Sequence, residues 1–210
     1  MLGELEVLTD DVLREIAALG QIRKFQKNVV IIQEGDVGES LYIILAGKVK
    51  VYASDDNGRE VVIDTYGPGE YVGEMVLDGG VRSASVMTME PSSFAVVSRV
   101  DLRQHISRHP DVGIFLISRL IKRTRQATNN IKSLALMDVY GRVAKLLLNL
   151  AVEDAGKLKV PERLTHQEIA DRVGSSREMI GRIMKDLVTG GYIEVHDRTI
   201  VMNKQPPAHW

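Results

Sequence analysis

The chain has 210 residues, 44% of them hydrophobic and 26% charged, which is ordinary for a soluble globular protein of one large or two small domains. Its net charge of −1 excludes a global basic field, so any contact with nucleic acid must depend on local charge placement. The lack of cysteine excludes disulfides, thiolate metal sites and thiol nucleophiles. No apolar run or charged leader indicates a membrane-spanning or secreted protein, so we expect a cytoplasmic location.

An amphipathic helix is predicted over the first twenty residues, because apolar side chains recur there at helical spacing. The residues of its apolar face are Leu5, Leu8, Val12, Ile16 and Leu19. Short β-branched runs separated by turn signals follow to about residue 100 and predict many short strands, as in a sandwich or small barrel. Gly47 predicts a bend, and Asn57-Gly58 predicts a hairpin turn with positive φ at both residues.

The stretch GEMVLDGGVRSAS, residues 73–85, places the carboxylate of Glu74 and the guanidinium of Arg82 around a glycine-rich turn. One interpretation is a structural ion pair between the two side chains. The other is a cradle for a ligand that carries hydroxyls and a negative charge. Glycines such as Gly73 let backbone N–H groups approach an anion, arginine pairs with it, and the hydroxyl of Ser83 adds a contact.

Residues 111–137 predict one long helix, because they contain no proline and only one early glycine. Apolar and small side chains recur in it every seven residues at two offsets, which is typical of a heptad seam. The seam residues are Ile117, Leu120, Thr124, Ala127, Ile131 and Leu134. The seam either packs on its own chain or pairs with a second copy. Because it is narrow and the other faces are basic, the pattern favours a homodimer.

From residue 138 onward, the pattern predicts three helices and a hairpin. Asp138 is the expected N-cap of the first helix, and the polar stretch 152–163 is expected to be a connection. Thr165, followed three residues later by glutamate, has the spacing of a capping box for the second helix, which is expected to end at Gly174. The third helix follows, and a hairpin turn is expected near His196.

The second and third helices form a helix-turn-helix candidate. At ~100° per residue, Arg177, Glu178 and Arg182 share one face with Gly181, whereas the apolar residues, including Met179, occupy the other. Such a face suits a major groove, since arginine can bond guanine and glutamate can accept from cytosine. The alternative is a solvated face with a Glu178–Arg182 ion pair. The capped helix before it and the hairpin after it favour DNA binding.

The helix-turn-helix of the cyclic-AMP receptor protein family, also called catabolite activator proteins, resembles the stretch THQEIADRVGSSREMIGRIMKDL. LALMDVYGRVAKLLLNLA is similar to that family's hinge and first DNA-domain helix, and GEMVLDGGVRSASV to its phosphate-binding cassette. The resemblance implies an α+β fold with an N-terminal double-stranded β-helix, or jelly roll. It divides the chain into a cyclic-nucleotide-binding-like β-roll (1–110), a dimerisation helix with hinge (111–137) and a winged helix-turn-helix domain (138–210).

The resemblance also implies a cyclic nucleotide as effector, with cyclic AMP as the first candidate. Gly73, Arg82 and Ser83 would hold its phosphate, and Glu74 would accept from its ribose hydroxyl. The predicted effector-binding residues are Gly73, Glu74, Met75, Arg82, Ser83, Thr128 and Asn129.

Two features depart from the family pattern. The loop from Glu74 to Arg82 is shorter than in the best-known members. The resemblance places base-contacting hydroxyls at Ala127 and Thr128, and only Thr128 has one; Asn129 and Asn130 are candidates to substitute for the other. The base of the effector therefore stays open, as does the choice between a mononucleotide and a dinucleotide such as cyclic di-GMP.

The function implied by the resemblance is that of a ligand-gated, sequence-specific transcription regulator, not an enzyme. It would bind a TGTGA-like palindrome in double-stranded DNA as a homodimer and contact RNA polymerase. The predicted DNA-binding residues are Thr165, Gln167, Ser175, Ser176, Arg177, Glu178, Arg182 and Lys185. No catalytic or metal-ligating residue is predicted, and His105 and His109 are interpreted as a solvated helix end. The alternatives are a constitutive DNA-binding regulator with a degenerate or differently specific pocket, and a nucleotide-binding accessory module without a role on DNA.

Overall fold

The computed structural model describes residues 5–58, 60–154, 156–161, 164–196, 199–204 and 206. The chain divides into two compact units, residues 1–122 and residues 123–210, and the division falls inside the longest helix. The division into three parts at residues 110 and 137 stays a prediction.

The described residues form helices and strands in both units. The helices are α1 (Asp11–Ala18), α2 (Arg99–Arg108), α3 (Pro110–Leu136), α4 (Val139–Leu150), α5 (His166–Val173) and α6 (Arg177–Thr189), with a short 3₁₀ helix at Glu74–Leu77. The strands are β1 (Gln21–Phe25), β2 (Val30–Ile32), β3 (Ser40–Ala46), β4 (Val49–Ser54), β5 (Glu60–Tyr66), β6 (Tyr71–Val72), β7 (Ser85–Thr88), β8 (Ser92–Ser98), β9 (Val152–Asp154), β10 (Lys157–Val160), β11 (Ile193–His196) and β12 (Thr199–Met202).

The N-terminal unit contains two antiparallel sheets, with strand orders β1-β8-β3-β6 and β2-β7-β4-β5. Side chains alternate across β3, so that Ile43 belongs to one apolar cluster and Ile44 to another. The Ile43 cluster packs α1, α2 and the start of α3 on the first sheet, and the Ile44 cluster joins the two sheets around Phe94. This arrangement confirms the predicted β-rich N-terminal fold.

The N-terminal helix is shorter than predicted. Helix α1 covers only Asp11–Ala18, because the Asp10 carboxylate accepts a hydrogen bond from the backbone N–H of Leu13 (3.2 Å) and starts the helix there. Leu8 is buried but precedes the helix, and Leu19 follows it and is exposed. The prediction of one continuous helix was therefore wrong over residues 5–20, and its first four residues lie outside the described part of the chain.

The hairpin between β4 and β5 also differs from its prediction. Gly58 has a φ of 74°, whereas Asn57 does not have positive φ. The Gly58 N–H donates to the carbonyl oxygen of Asp55 (2.9 Å), and the Asn57 N–H donates to the Asp55 carboxylate (3.0 Å). The aspartate therefore stabilises a turn that requires positive φ at the glycine alone.

The C-terminal unit packs α4, α5 and α6 on a four-stranded sheet with the order β11-β12-β10-β9. The predicted hairpin near His196 is confirmed, since β11 pairs with β12 and His196 lies opposite Thr199. The stretch 152–163, predicted as a mere connection, instead supplies strands β9 and β10 to the same sheet. Only Val160 of these two strands is buried, so their apolar pattern is too weak to signal strands.

Within the described ranges, no helix has the length and apolar composition needed to cross a membrane.

Candidate functional site

Arg82 lies in the chain just before β7 and is buried, with 6% of its surface exposed. Its Nη1 donates a hydrogen bond to the carbonyl oxygen of Gly73 (2.5 Å), and its Nη2 donates to the carbonyl oxygen of Ser40 (2.7 Å). Its own backbone is fixed as well, because its N–H donates to the carbonyl of Asp36 and its carbonyl accepts from Gly35 (both 2.9 Å). Two hydrogen bonds thus hold the guanidinium, and two more hold the backbone of the same residue.

The electrostatic environment of Arg82 suits an anion. Burial lowers the pKa of the Arg82 guanidinium, and the neighbouring Tyr42 phenol and Glu74 carboxylate act in the opposite direction. A cation that has lost part of its water gains more from a charged hydrogen-bond acceptor than an exposed one does. An arginine side chain has five N–H donors, and the two carbonyls accept from only two of them, so donors remain for an anion.

Two glycines make room for this side chain. A Cβ on Gly38 would lie 1.9, 2.0 and 2.3 Å from Nε, Cζ and Nη2 of Arg82. Gly73 has a φ of +86°, and a Cβ there would lie 2.8 Å from Nη1 of Arg82. Gly73 is predicted from the sequence, but Gly38 is not, because it lies 44 positions from Arg82 in the chain and its own neighbours indicate only an ordinary loop.

Replacement of Gly38 by alanine is expected to displace the Arg82 guanidinium from its two carbonyl acceptors. The free energy of unfolding should fall by about 1–3 kcal/mol, the cost of leaving buried polar groups unsatisfied. Denaturant unfolding measures this change. Gly67→Ala is the matched control, since its Cβ would meet only a carbonyl oxygen at 4.0 Å. Equal stability of the two variants would contradict the steric argument.

The predicted effector-binding residues belong to both units of the chain. Gly73, Glu74 and Met75 surround the start of the 3₁₀ helix, and Arg82 contacts Gly73. Ser83 is exposed. Thr128 and Asn129 are exposed on α3 within the second unit, where the Thr128 hydroxyl donates to the carbonyl of Thr124 (2.9 Å).

The helix-turn-helix is built from α5 and α6, and its first helix begins as predicted. Thr165 accepts from the Glu168 N–H (3.2 Å), and the Glu168 carboxylate accepts from the Thr165 N–H (2.6 Å), which completes the capping box. Helix α5 ends at Gly174, whose φ of 67° is left-handed. Gln167 is exposed, and its amide donates to the Asp171 carboxylate (2.7 Å).

Helix α6 begins with Ser176 as its N-cap, since the Ser176 hydroxyl accepts from the Met179 N–H (3.2 Å). Ser175, which is also among the predicted DNA-binding residues, lies just before this N-cap and is half-buried. Hydrogen bonds from its own backbone N–H and from the Ser176 hydroxyl lower the pKa of Glu178, so this carboxyl is held in its charged form.

The exposed face of α6 carries the predicted DNA-contacting side chains Arg177, Glu178, Arg182 and Lys185. Ile180, Ile183, Met184 and Leu187 are buried, as the helical wheel predicts. Met179 is 40% exposed, so its assignment to the buried face was wrong. A Cβ on Gly181 would meet only the His166 ring, at 3.6 Å, so internal packing does not require glycine there.

Two matches with protein-family models cover most of the chain. Residues 22–109 match the cyclic nucleotide-binding domain, and residues 141–205 match the Crp-like helix-turn-helix domain. The chain is 35% identical over 193 residues to the cAMP-activated global transcriptional regulator CRP of Pasteurella multocida strain Pm70, which covers 86% of this chain and 89% of that protein. The chain belongs to the CRP family of transcription regulators.

Two further proteins that resemble this chain differ in their named effector. The CRP-like cAMP-activated global transcriptional regulator of Mycobacterium tuberculosis strain H37Rv is 34% identical over 184 residues, covering 85% of this chain and 82% of that protein. The solved structure of CLP, a c-di-GMP responsive global regulator of Xanthomonas campestris, has a TM-score of 0.78 and 29% identity. It covers 97% of this chain and 100% of that chain.

Family membership confirms the predicted fold and the general class of function. The chain is a transcription regulator with a cyclic nucleotide-binding domain and a DNA-binding helix-turn-helix. Its relatives are regulators of transcription, not enzymes. The roles assigned to single residues at the Arg82 site and on α6 stay predictions.

Regulators of the CRP family act as dimers, and the residues of the predicted seam on α3 are suited to this. Ile117, Ile131 and Leu134 are more than half exposed in the single chain. Ile114 and Ile121, also seven residues apart, are exposed too. The predicted seam did not include them, because it used only two positions of each heptad. Exposed aliphatic side chains at heptad spacing are typical of a helix that packs against a second helix.

Arg142 is a further residue that the sequence analysis missed. Its Nε donates to the carbonyl oxygen of Val173 (2.8 Å), at the end of α5, and its Nη1 donates to the carbonyl oxygen of Met137 (2.9 Å), at the end of α3. Asp138, the predicted N-cap of α4, accepts from the Gly141 N–H (2.7 Å). These bonds fix the start of α4 to the last turn of the first helix of the helix-turn-helix.

Proposed function

We propose that a cyclic nucleotide binds at the Arg82 site and controls the affinity of the protein for DNA. The observation that carries this proposal is the buried Arg82 guanidinium, fixed between Gly73 and Ser40 and enclosed by two glycines. A fixed, partly desolvated cation beside a carboxylate offers a partner for both a cyclic phosphate and a ribose hydroxyl. In this assignment Arg82 and Ser83 bind the phosphate, and Glu74 accepts from the 2′-hydroxyl.

Two effectors are proposed for this site, cyclic AMP and cyclic di-GMP. Cyclic AMP is supported by the relatives that are named as cAMP-activated, and cyclic di-GMP by the c-di-GMP responsive regulator CLP. Titration calorimetry of the full-length protein with cyclic AMP, cyclic GMP and cyclic di-GMP tests the proposal directly. Absence of binding for all three would favour the alternative, a constitutive regulator with a degenerate pocket.

The DNA target proposed here is a palindrome with TGTGA-like half-sites, read by Arg177, Glu178 and Arg182 of α6. Their side chains are exposed at the N-terminal end of the helix, which is the part of a recognition helix that meets base edges. A dimer presenting two such helices needs half-sites about one helical turn apart, ~34 Å. We also propose RNA polymerase as a partner, because the relatives are global regulators of transcription.

Arg177→Ala is expected to weaken binding to the matched palindrome by ~1–3 kcal/mol and to relax the preference at one guanine of each half-site. Fluorescence anisotropy with matched, single-substituted and scrambled duplexes measures both effects. If binding weakens equally on scrambled DNA, Arg177 contacts phosphate and carries no sequence preference. An accessory module without a role on DNA would bind none of these duplexes.

A further inference from the structure

Arg99 lies against the glycine turn of the proposed effector site. It is the first residue of α2, and its side chain is half-buried. Gly79, in the turn that follows the 3₁₀ helix, has a φ of +82°, and a Cβ there would lie 2.6 Å from Nη2, 2.8 Å from Nη1 and 2.9 Å from Cζ of Arg99. The guanidinium therefore occupies the space that any side chain at position 79 would need.

The Arg99 guanidinium has no acceptor among the residues that the structure describes. Its Nε is buried and makes no hydrogen bond. The nearby carboxylates in sequence are engaged elsewhere: Asp78 accepts from the Gly80 N–H (2.8 Å), and Asp101 accepts from the Ser98 hydroxyl (2.5 Å). Removing part of the water around a guanidinium without supplying a hydrogen-bond acceptor destabilises the folded protein. A bound anion would supply that acceptor.

Arg99 and Arg82 differ in their use of donors. Arg82 already donates to two backbone carbonyls, whereas the buried Nε of Arg99 makes no hydrogen bond within the described residues. The two residues flank the same turn, since Gly79 and Arg82 are three residues apart and their Cα atoms lie at most ~11 Å from each other. A guanidinium binds two oxygens of a phosphate with a parallel pair of hydrogen bonds.

We propose that Arg99 is a second phosphate-binding residue beside the Arg82 site. This inference rests on the proposed binding of a cyclic nucleotide at Arg82. The second phosphate has two chemical sources: a cyclic dinucleotide that spans both arginines, or a separate phosphate ion that binds beside a mononucleotide. Both sources require the same contact, and different probes distinguish them.

The test uses titration calorimetry of the full-length protein with three probes: cyclic AMP, cyclic di-GMP and inorganic phosphate. The variants are Arg99→Gln and Arg99→Lys, and Arg103→Gln is the matched control, because Arg103 is exposed on the same helix. If the second phosphate belongs to a cyclic dinucleotide, Arg99→Gln is expected to weaken binding of cyclic di-GMP by about tenfold or more, while the affinity for cyclic AMP changes by less than about twofold. Arg99→Lys should restore part of the loss, and Arg103→Gln should leave all affinities unchanged.

If the second phosphate is instead a separate ion, inorganic phosphate should bind to the wild type and raise its affinity for cyclic AMP. Arg99→Gln should then remove both effects. The inference is overturned if Arg99→Gln leaves the binding of all three probes unchanged. It is also overturned if cyclic AMP and cyclic di-GMP weaken equally, because Arg99 then only supports the turn. These results leave nucleotide binding at Arg82 intact, whereas a wild type that binds neither cyclic nucleotide defeats the proposed function as well.

Discussion

Leu120→Glu is expected to convert the protein to a monomer and to reduce operator binding by about 10²–10⁴-fold, because the two recognition helices are then no longer linked. Leu120 lies at a d position of the α3 seam, where the exposed isoleucines Ile117 and Ile121 flank it in sequence. In a parallel pair of helices, a glutamate at this position would face its own copy and lose its water. Sedimentation equilibrium measures the mass, and anisotropy measures the operator affinity.

Gln126→Glu is the matched control for this experiment. It adds the same charge to the same helix at an exposed position outside the seam. We expect it to remain dimeric and to bind the operator with an affinity close to that of the wild type. If Leu120→Glu also remains dimeric, the subunit interface lies away from α3.

Arg82→Leu is expected to abolish the response to any cyclic nucleotide and also to destabilise the protein. The leucine removes the cation that would pair with the phosphate, and it leaves the carbonyls of Gly73 and Ser40 without donors. The second effect should lower the free energy of unfolding by about 2–5 kcal/mol.

Ser83→Ala separates ligand binding from stability. The Ser83 side chain is exposed and makes no hydrogen bond within the described residues, so its loss should leave the unfolding free energy within about 0.5 kcal/mol. Operator affinity is measured for wild type and both variants, each with and without saturating nucleotide. A coupling of ~1–3 kcal/mol, about 5–150-fold in DNA affinity, is expected for wild type, with a smaller response for Ser83→Ala and none for Arg82→Leu. A wild type without a response to any nucleotide favours the constitutive regulator.

Local signals were sufficient to predict much of the fold. The capping box at Thr165, the left-handed glycine at Gly174 and the N-cap at Asp138 depend on contacts within a few residues, and all three are confirmed. Alternation along β3 and heptad spacing along α3 are equally local. Strands β9 and β10 were missed because they are mostly exposed; among the described strands β9 pairs only with β10, and β10 joins the sheet by pairing with β12, about forty residues later in the chain.

The same distinction separates the predicted and the missed residues of the candidate site. The glycine-rich turn and its charged residues, Glu74 and Arg82, lie within one short stretch. Gly38, Ser40 and Arg99 act on that stretch from other strands and helices, and only the folded chain brings them near it. The residues next to such a glycine in the sequence do not show that it accommodates a guanidinium from a distant part of the chain. This is why sequence reasoning found the turn but not the residues that enclose it.

The strand order of the C-terminal sheet determines when this unit can be completed during translation. Strand β12 lies between β11 and β10, so the β9–β10 hairpin emerges with one edge unpaired until residues 199–202 follow. At ~5–20 residues per second, ribosomes need a few seconds for that interval. The helix-turn-helix is synthesised inside this interval, before the sheet that supports it is closed. A nascent chain is therefore expected to gain DNA-binding competence only after its last strand has left the ribosome.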